Sequence, residues 1–137
     1  MVFRELARRY GQDEAISVMR SSSRAHGEVI GASLSCFAPR DFHRMAEGFA
    51  KYPDEVTFAR HIRRLDDTCL EEKMIACPIK DASVDAGCTD AEICTLLYCA
   101  SALDEATIEA AGLDYKIELW VPGKDGFCVT TITEKQP

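Results

Sequence analysis

The chain has 137 residues, 47% of them hydrophobic and 28% charged, with a net charge of −7. That is the size and balance of one folded domain spanning 1–137, not of a disordered chain. A field of that sign repels nucleic-acid phosphates and anionic lipid, and no apolar run reaches the roughly 20 residues of a membrane span, so neither nucleic acid nor membrane is expected as a partner.

The opening run Met1-Val2-Phe3-Arg4-Glu5-Leu6 carries an acid and no small-residue cleavage site, so it does not read as a signal peptide. Phe3, Leu6, Ala7 and Tyr10 then repeat at helical spacing, and Gly11 suits a left-handed C-cap. Asp13 can cap a second helix whose inner face carries Ile16, Met19, Ser23, Gly27, Ile30 and Leu34. Gly27 and Gly31, one turn apart, cost helix propensity and imply that something approaches that backbone closely, either another element or a ligand. Pro39 fits the first turn of a third helix with Phe42, Met45, Ala46 and Phe49 inward.

After Tyr52-Pro53-Asp54 the period changes to two. Val56, Phe58, Arg60, Ile62 and Arg64 alternate with Thr57, Ala59, His61, Arg63 and Leu65 in a strand with one partly charged face. Asp66-Asp67-Thr68 is a turn, and residues 69–77 form a second strand with Leu70, Met74 and Ala76 inward, stopped by Pro78. Thr89-Asp90-Ala91-Glu92 has the spacing of a capping box. It opens an apolar helix through Ile93, Leu96, Leu97, Ala100 and Leu103, re-capped at Asp104 and running on to Gly112. Tyr115, Ile117, Leu119 and Val121 alternate in a third strand, Pro122-Gly123-Lys124-Asp125-Gly126 makes a hairpin loop, and 127–134 is the fourth strand. The expected fold is α+β: N-terminal helices packed on a four-stranded antiparallel sheet made of two hairpins with an intervening helix.

Seven cysteines are the unusual feature, at 36, 69, 77, 88, 94, 99 and 128. An odd number cannot all pair within one chain, and with no export signal they read as mostly reduced thiols of a cytoplasmic protein. Cys69 and Cys77 share a strand face but stand roughly 26 Å apart if the strand is unbroken, too far for a bridge. Cys94 and Cys99 lie five residues apart, roughly 140° around a helix, and do not face one metal. His26, His43 and His61 are scattered, so a zinc site would have to be assembled by the fold from Cys77, Cys99 and Cys128. Each thiol can equally be a small buried hydrophobe; Cys36, Cys69 and Cys94 are most simply that, while Cys88 precedes a helix cap and is undecided.

Three further features have two readings each. Asp104 is either a helix N-cap or a carboxylate that clamps a cationic amidine or acts as a base. The stripe Arg60-His61-Arg63-Arg64 is either a solvated strand face or the partner of a substrate carboxylate. Trp120 either covers a second layer or lines a pocket.

Four segments in order resemble a known family. They are Tyr10-Gly11-Gln12-Asp13-Glu14-Ala15 with Gly27 and Gly31 after it, Met74-Ile75-Ala76-Cys77-Pro78, Leu96-Leu97-Tyr98-Cys99 followed by Asp104, and Gly123-Lys124-Asp125-Gly126-Phe127-Cys128. Together they are similar to the L-2-amino-thiazoline-4-carboxylic acid hydrolase-like group, related in pattern to 4-vinyl-reductase-type ligand-binding domains. The resemblance runs from about residue 5 to 133, with a longer Cys99-to-Asp104 step than the family's Cys-x-x-Asp. It implies a hydrolase that adds water to the amidine carbon of a thiazoline ring and opens it. It further implies Arg64 or Arg60 as anchor for the substrate carboxylate, Asp104 as amidinium partner and base, Cys77 or Cys99 as nucleophile, and Tyr98 and Cys128 lining the same site. A small-molecule substrate and no cofactor are expected, and association into a homo-oligomer is permitted. The other readings are a non-catalytic ligand-binding domain and a Cys-ligated metal domain.

Overall fold

Gly11 sets the shape of the N-terminal layer. The computed structural model describes residues 2–50, 58–124 and 126–136, with backbone alone for 48–50. Helix α1 (Val2–Tyr10) ends where the Gly11 N–H donates to the Ala7 carbonyl over 2.9 Å, with Gly11 at φ +90°. A residue with a Cβ rarely adopts that conformation. Helix α2 (Gln12–Ala32) starts immediately afterwards, with Gly11 itself as the N-cap. Asp13 therefore does not cap it; it sits in the first turn, where a negative charge favours the helix dipole.

A single turn of 3-10 helix at Ser35–Phe37 leads to α3 (Phe42–Ala50). Pro39 precedes that helix instead of occupying its first turn, and the Asp41 carboxylate receives the Arg44 backbone N–H at 3.3 Å. A short side chain that accepts from the first turn is the better cap. Phe42, Met45 and Ala46 are buried as their spacing predicts; the side chain of Phe49 and the segment around Tyr52, Pro53, Val56 and Thr57 lie outside the described residues.

Strands β1 (Arg60–Asp66), β2 (Cys69–Met74), β3 (Leu113–Glu118) and β4 (Val129–Glu134) form one antiparallel sheet in the order β1-β2-β4-β3. The two hairpins join through β2 and β4, so the α+β architecture stands as expected. One detail differs in β1. Ile62 faces Glu72 but Arg64 faces Glu71, which makes Arg63 an inserted residue. A bulge reverses the alternation beyond it. Arg60 and Ile62 therefore share the inner face, Leu65 packs on the core, and Arg64 turns to solvent.

The second strand is shorter than expected. Pro78 begins α4 (Pro78–Asp85), where a proline at the first helical position sacrifices no hydrogen bond. Helix α5 (Asp90–Ala110) opens on the expected capping box: Thr89 Oγ1 accepts from the Glu92 N–H at 3.3 Å, and a Glu92 carboxylate oxygen accepts from the Thr89 N–H at 2.9 Å. It then runs unbroken through Asp104, which is an interior helical residue and not a second cap.

Helix α2 lies along α5 through Gly27 and Gly31. A Cβ on Gly27 would fall on the Leu103 carbonyl oxygen and 2.9 Å from Ala106 Cβ; one on Gly31 would fall on the Thr107 carbonyl oxygen and 2.7 Å from Ala110 Cβ. The close approach implied by the glycine spacing is therefore helix against helix. Above the sheet, one apolar cluster joins Phe42, Met45, Leu70, Ile108, Leu113 and Ile132, and a second joins Cys77, Ile93 and Leu97 to Trp120 and Phe127. No helix among the described residues is long and apolar enough to cross a membrane.

Candidate functional site

A cavity of about 600 Å³ lies between the two apolar clusters, walled by the inner face of the sheet, α5 and part of α2. Its size suits a small organic molecule. Most of the wall is aliphatic. Besides the hydroxyls of Ser23, Ser101, Thr107 and Thr130, the polar groups are Arg60 on β1, Glu72 on β2, Asp104 on α5, Tyr115 on β3, and the thiols of Cys77, at the start of α4, and Cys128, just before β4.

Register explains how these meet. Glu72 stands in a cross-strand row with Ile62, Thr130 and Ile117, at the middle of the sheet. Arg60 is one inward position away on β1, opposite Met74. Its Nη1 donates to Glu72 Oε2 at 3.3 Å, and the Glu72 residue is only 2% exposed. Asp104 comes down from α5, one turn from Ala100, Ser101 and Ile108, which line the same space.

Burial dominates the electrostatics. It pushes the Glu72 carboxyl above its ordinary range, while Arg60 pulls it down and the neighbouring Asp104 raises it further. Asp104 is raised for the same first reason, again opposed by Arg60 and assisted by Glu105. Two carboxyls thus face one guanidinium in a low-dielectric space, and each holds its proton more tightly than in water. The Cys128 thiol is also pushed up, chiefly by burial; the Trp120 backbone N–H, 3.4 Å from its sulfur, opposes this, and Cys77 and Asp104 add to it.

Of the residues singled out from sequence, Arg60, Cys77, Asp104 and Cys128 meet at this cavity. Cys99, Tyr98 and Arg64 do not line it. Cys99 is buried on the stripe of α5 shared with Ala102 and Ala106, toward α2, and the charge it feels is Arg20. Tyr98 is 44% exposed beneath the Arg20 guanidinium, whose carbon is 4.0 Å from the ring centre. Arg64 is exposed and bound to Asp66 at 2.6 Å and Thr68 at 3.0 Å. Trp120 packs on the second apolar cluster under Lys80, 4.6 Å from its ring centre.

Two cavity residues escaped the sequence reading, Glu72 and Tyr115. Both signals were present. Glu72 falls between Leu70 and Met74 at inward spacing, where alternation calls for an apolar side chain, and Tyr115 is the polar-tipped member of its own alternating run. Among the described residues, no three His, Cys, Asp or Glu side chains gather to hold a metal ion. With Cys99 on another face of α5, the three-cysteine zinc set is not assembled.

Compared with curated proteins and with solved structures, the chain finds no significant match. The sequence profile described as L-2-amino-thiazoline-4-carboxylic acid hydrolase matches residues 1–121, a span that includes Arg60, Glu72, Cys77, Asp104 and Tyr115 and stops short of Cys128. The chain belongs to the L-2-amino-thiazoline-4-carboxylic acid hydrolase family.

Proposed function

We propose that this cavity is the substrate site of a small-molecule hydrolase that opens a cyclic amidine of the 2-amino-thiazoline carboxylate type. The observation that carries the reading is the meeting of Asp104, Glu72 and Arg60 in a mostly apolar cavity. A carboxylate opposite an amidinium holds the ring, and a guanidinium at the same wall attracts the substrate carboxylate. Aliphatic walls strengthen both interactions by excluding water.

The reaction balances as follows. One water adds through oxygen to the amidine carbon and gives up both protons on the way to the carbonyl: Asp104 accepts one, and the other leaves to solvent, the amidinium having supplied the ring nitrogen's proton. The bond from that carbon to the ring sulfur breaks, the sulfur leaves with the electron pair, and a proton returned to it completes a thiol. The product is an N-carbamoyl cysteine. A carboxyl raised by burial is suited to both proton transfers. In the covalent variant, the Cys77 thiol adds first and water displaces it in a second step.

The test is ring opening followed by release of one free thiol per turnover. Asp104→Asn should lower kcat by on the order of a hundredfold or more, and Cys99→Ala should leave it within about twofold. Cys77→Ser divides the two routes: loss of turnover supports the covalent one, and retained turnover supports direct attack by water. A wild-type protein that binds the thiazoline without opening it would make this a ligand-binding domain.

A further inference from the structure

The phenol of Tyr115 is out of keeping with its surroundings. On β3 it stands opposite Ile132 of β4, which stands opposite Leu70 of β2; both are buried in the core. Phenylalanine would pack in that row equally well. The hydroxyl is the one atom by which tyrosine differs, and it is buried with no hydrogen-bond partner among the described residues.

Two hydroxyls on the α5 side of the same wall are engaged by their own helix. Ser101 Oγ donates to the Tyr98 carbonyl at 3.0 Å, and Thr107 Oγ1 donates to the Leu103 carbonyl at 2.8 Å. Against that pattern an orphaned phenol is an exception, because a buried donor left without an acceptor costs stability. A ligand in the cavity that Tyr115 lines together with Asp104 and Arg60 supplies the missing partner. The same cavity is lined by Asp104 and Arg60, whose charges act on this phenol. Burial and Asp104 raise it, which keeps it a donor.

We infer that Tyr115 is a catalytic hydrogen-bond donor to the oxygen that water brings to the amidine carbon. The inference rests on the proposed ring-opening reaction. Asp104 accepts a proton from the attacking water while Tyr115 donates to a lone pair of the same oxygen. That oxygen becomes a stronger acceptor as it changes from water to carbonyl, so the hydrogen bond strengthens along the reaction. The substrate class follows: a ring whose reacting carbon becomes a urea or amide carbonyl.

The experiment is Tyr115→Phe, measured in two ways. With 2-amino-thiazoline-4-carboxylate as substrate, kcat should fall by on the order of a hundredfold, with KM changed by less than about threefold. Without substrate, the melting temperature should be equal or higher, because no partner is lost. Unchanged kcat in the variant beside an active wild type overturns the inference and leaves the ring-opening reading intact. A lower melting temperature, or failure to fold, also overturns it, since the hydroxyl would then have a structural partner. A wild type inactive toward the thiazoline removes the reading and this inference together, and is seen before any substitution is made.

Discussion

The guanidinium of Arg60 reaches from the edge strand to the carboxylate of Glu72 on the neighbouring strand, 3.3 Å from Nη1 to Oε2, and the pair lies on the buried face of the sheet. It is a diagonal cross-strand contact, because Arg60 is in register with Met74 and Glu72 with Ile62. Asp104 adds a second carboxyl that the same guanidinium opposes.

Replacing Arg60 by Met should therefore destabilise the protein in a pH-dependent manner. Glu72 and Asp104 hold their protons more tightly in the folded chain than their ordinary values of 4.5 and 3.8. Their contribution to stability is then full below those values and is lost as pH rises through the raised ones. Without Arg60 both carboxyls climb further, so more is lost by pH 8. Urea denaturation should give a penalty of about 3 kcal/mol at pH 8 and a clearly smaller one at pH 5. An equal penalty at both would contradict the shared counter-charge.

Gly27→Ala should destabilise although alanine is the better helix former. The propensity gain is about 1 kcal/mol, but the new methyl has to displace the Leu103 carbonyl and Ala106 along the α2–α5 seam. Backbone cannot yield as a side-chain tip can, so a net loss of about 1–3 kcal/mol is expected. Gly31→Ala meets Thr107 and Ala110 in the same manner. A higher melting temperature in either variant would mean that the seam is looser than described.

Thiol labelling of the folded protein should divide the cysteines by position. Cys36 is exposed and should react first, Cys88 and Cys94 more slowly, and Cys69, Cys77, Cys99 and Cys128 least, because they are buried. Burial also raises the Cys69, Cys99 and Cys128 thiols, which further suppresses their thiolates. Peptide mapping after brief labelling near neutral pH checks the order. Fast reaction at Cys77 alone among the buried four would favour the covalent route.

The N-terminus of α5 should supply part of the acid sensitivity. Arg4 donates to the Glu92 carboxylate at 2.7 Å, and with the Thr89 N–H it holds that group near about 2. A carboxyl held low contributes stability above its ordinary value of 4.5 that is lost as pH falls through the lowered one. Glu92→Gln should flatten the stability profile between those limits, lowering stability above pH 6 and leaving it nearly unchanged near pH 2. Chemical denaturation at a series of pH values checks this.

Local rules made much of this protein legible. The period of its apolar residues placed three N-terminal helices and four strands, the Thr89–Glu92 spacing placed the cap of α5, and the order of short motifs pointed to the family that the profile match shows. Each depends on residues close together in sequence, where backbone geometry alone dictates what can face what. The wall of the cavity depends on register and helix phase. One inserted residue at Arg63 sends Arg60 inward and Arg64 outward, although simple alternation puts both on one face. An unbroken α5 turns Asp104 toward the cavity and Cys99 toward α2, although they belong to one motif. Glu72 and Tyr115 join the site only because β2 pairs with β4 and β4 with β3. Sequence by itself determined the family and most of the elements, though not α4, whose start at Pro78 read as the end of a strand. Which of seven cysteines and many charges share one small buried space was decided by long-range pairing, where a shift of one residue moves a side chain from core to solvent.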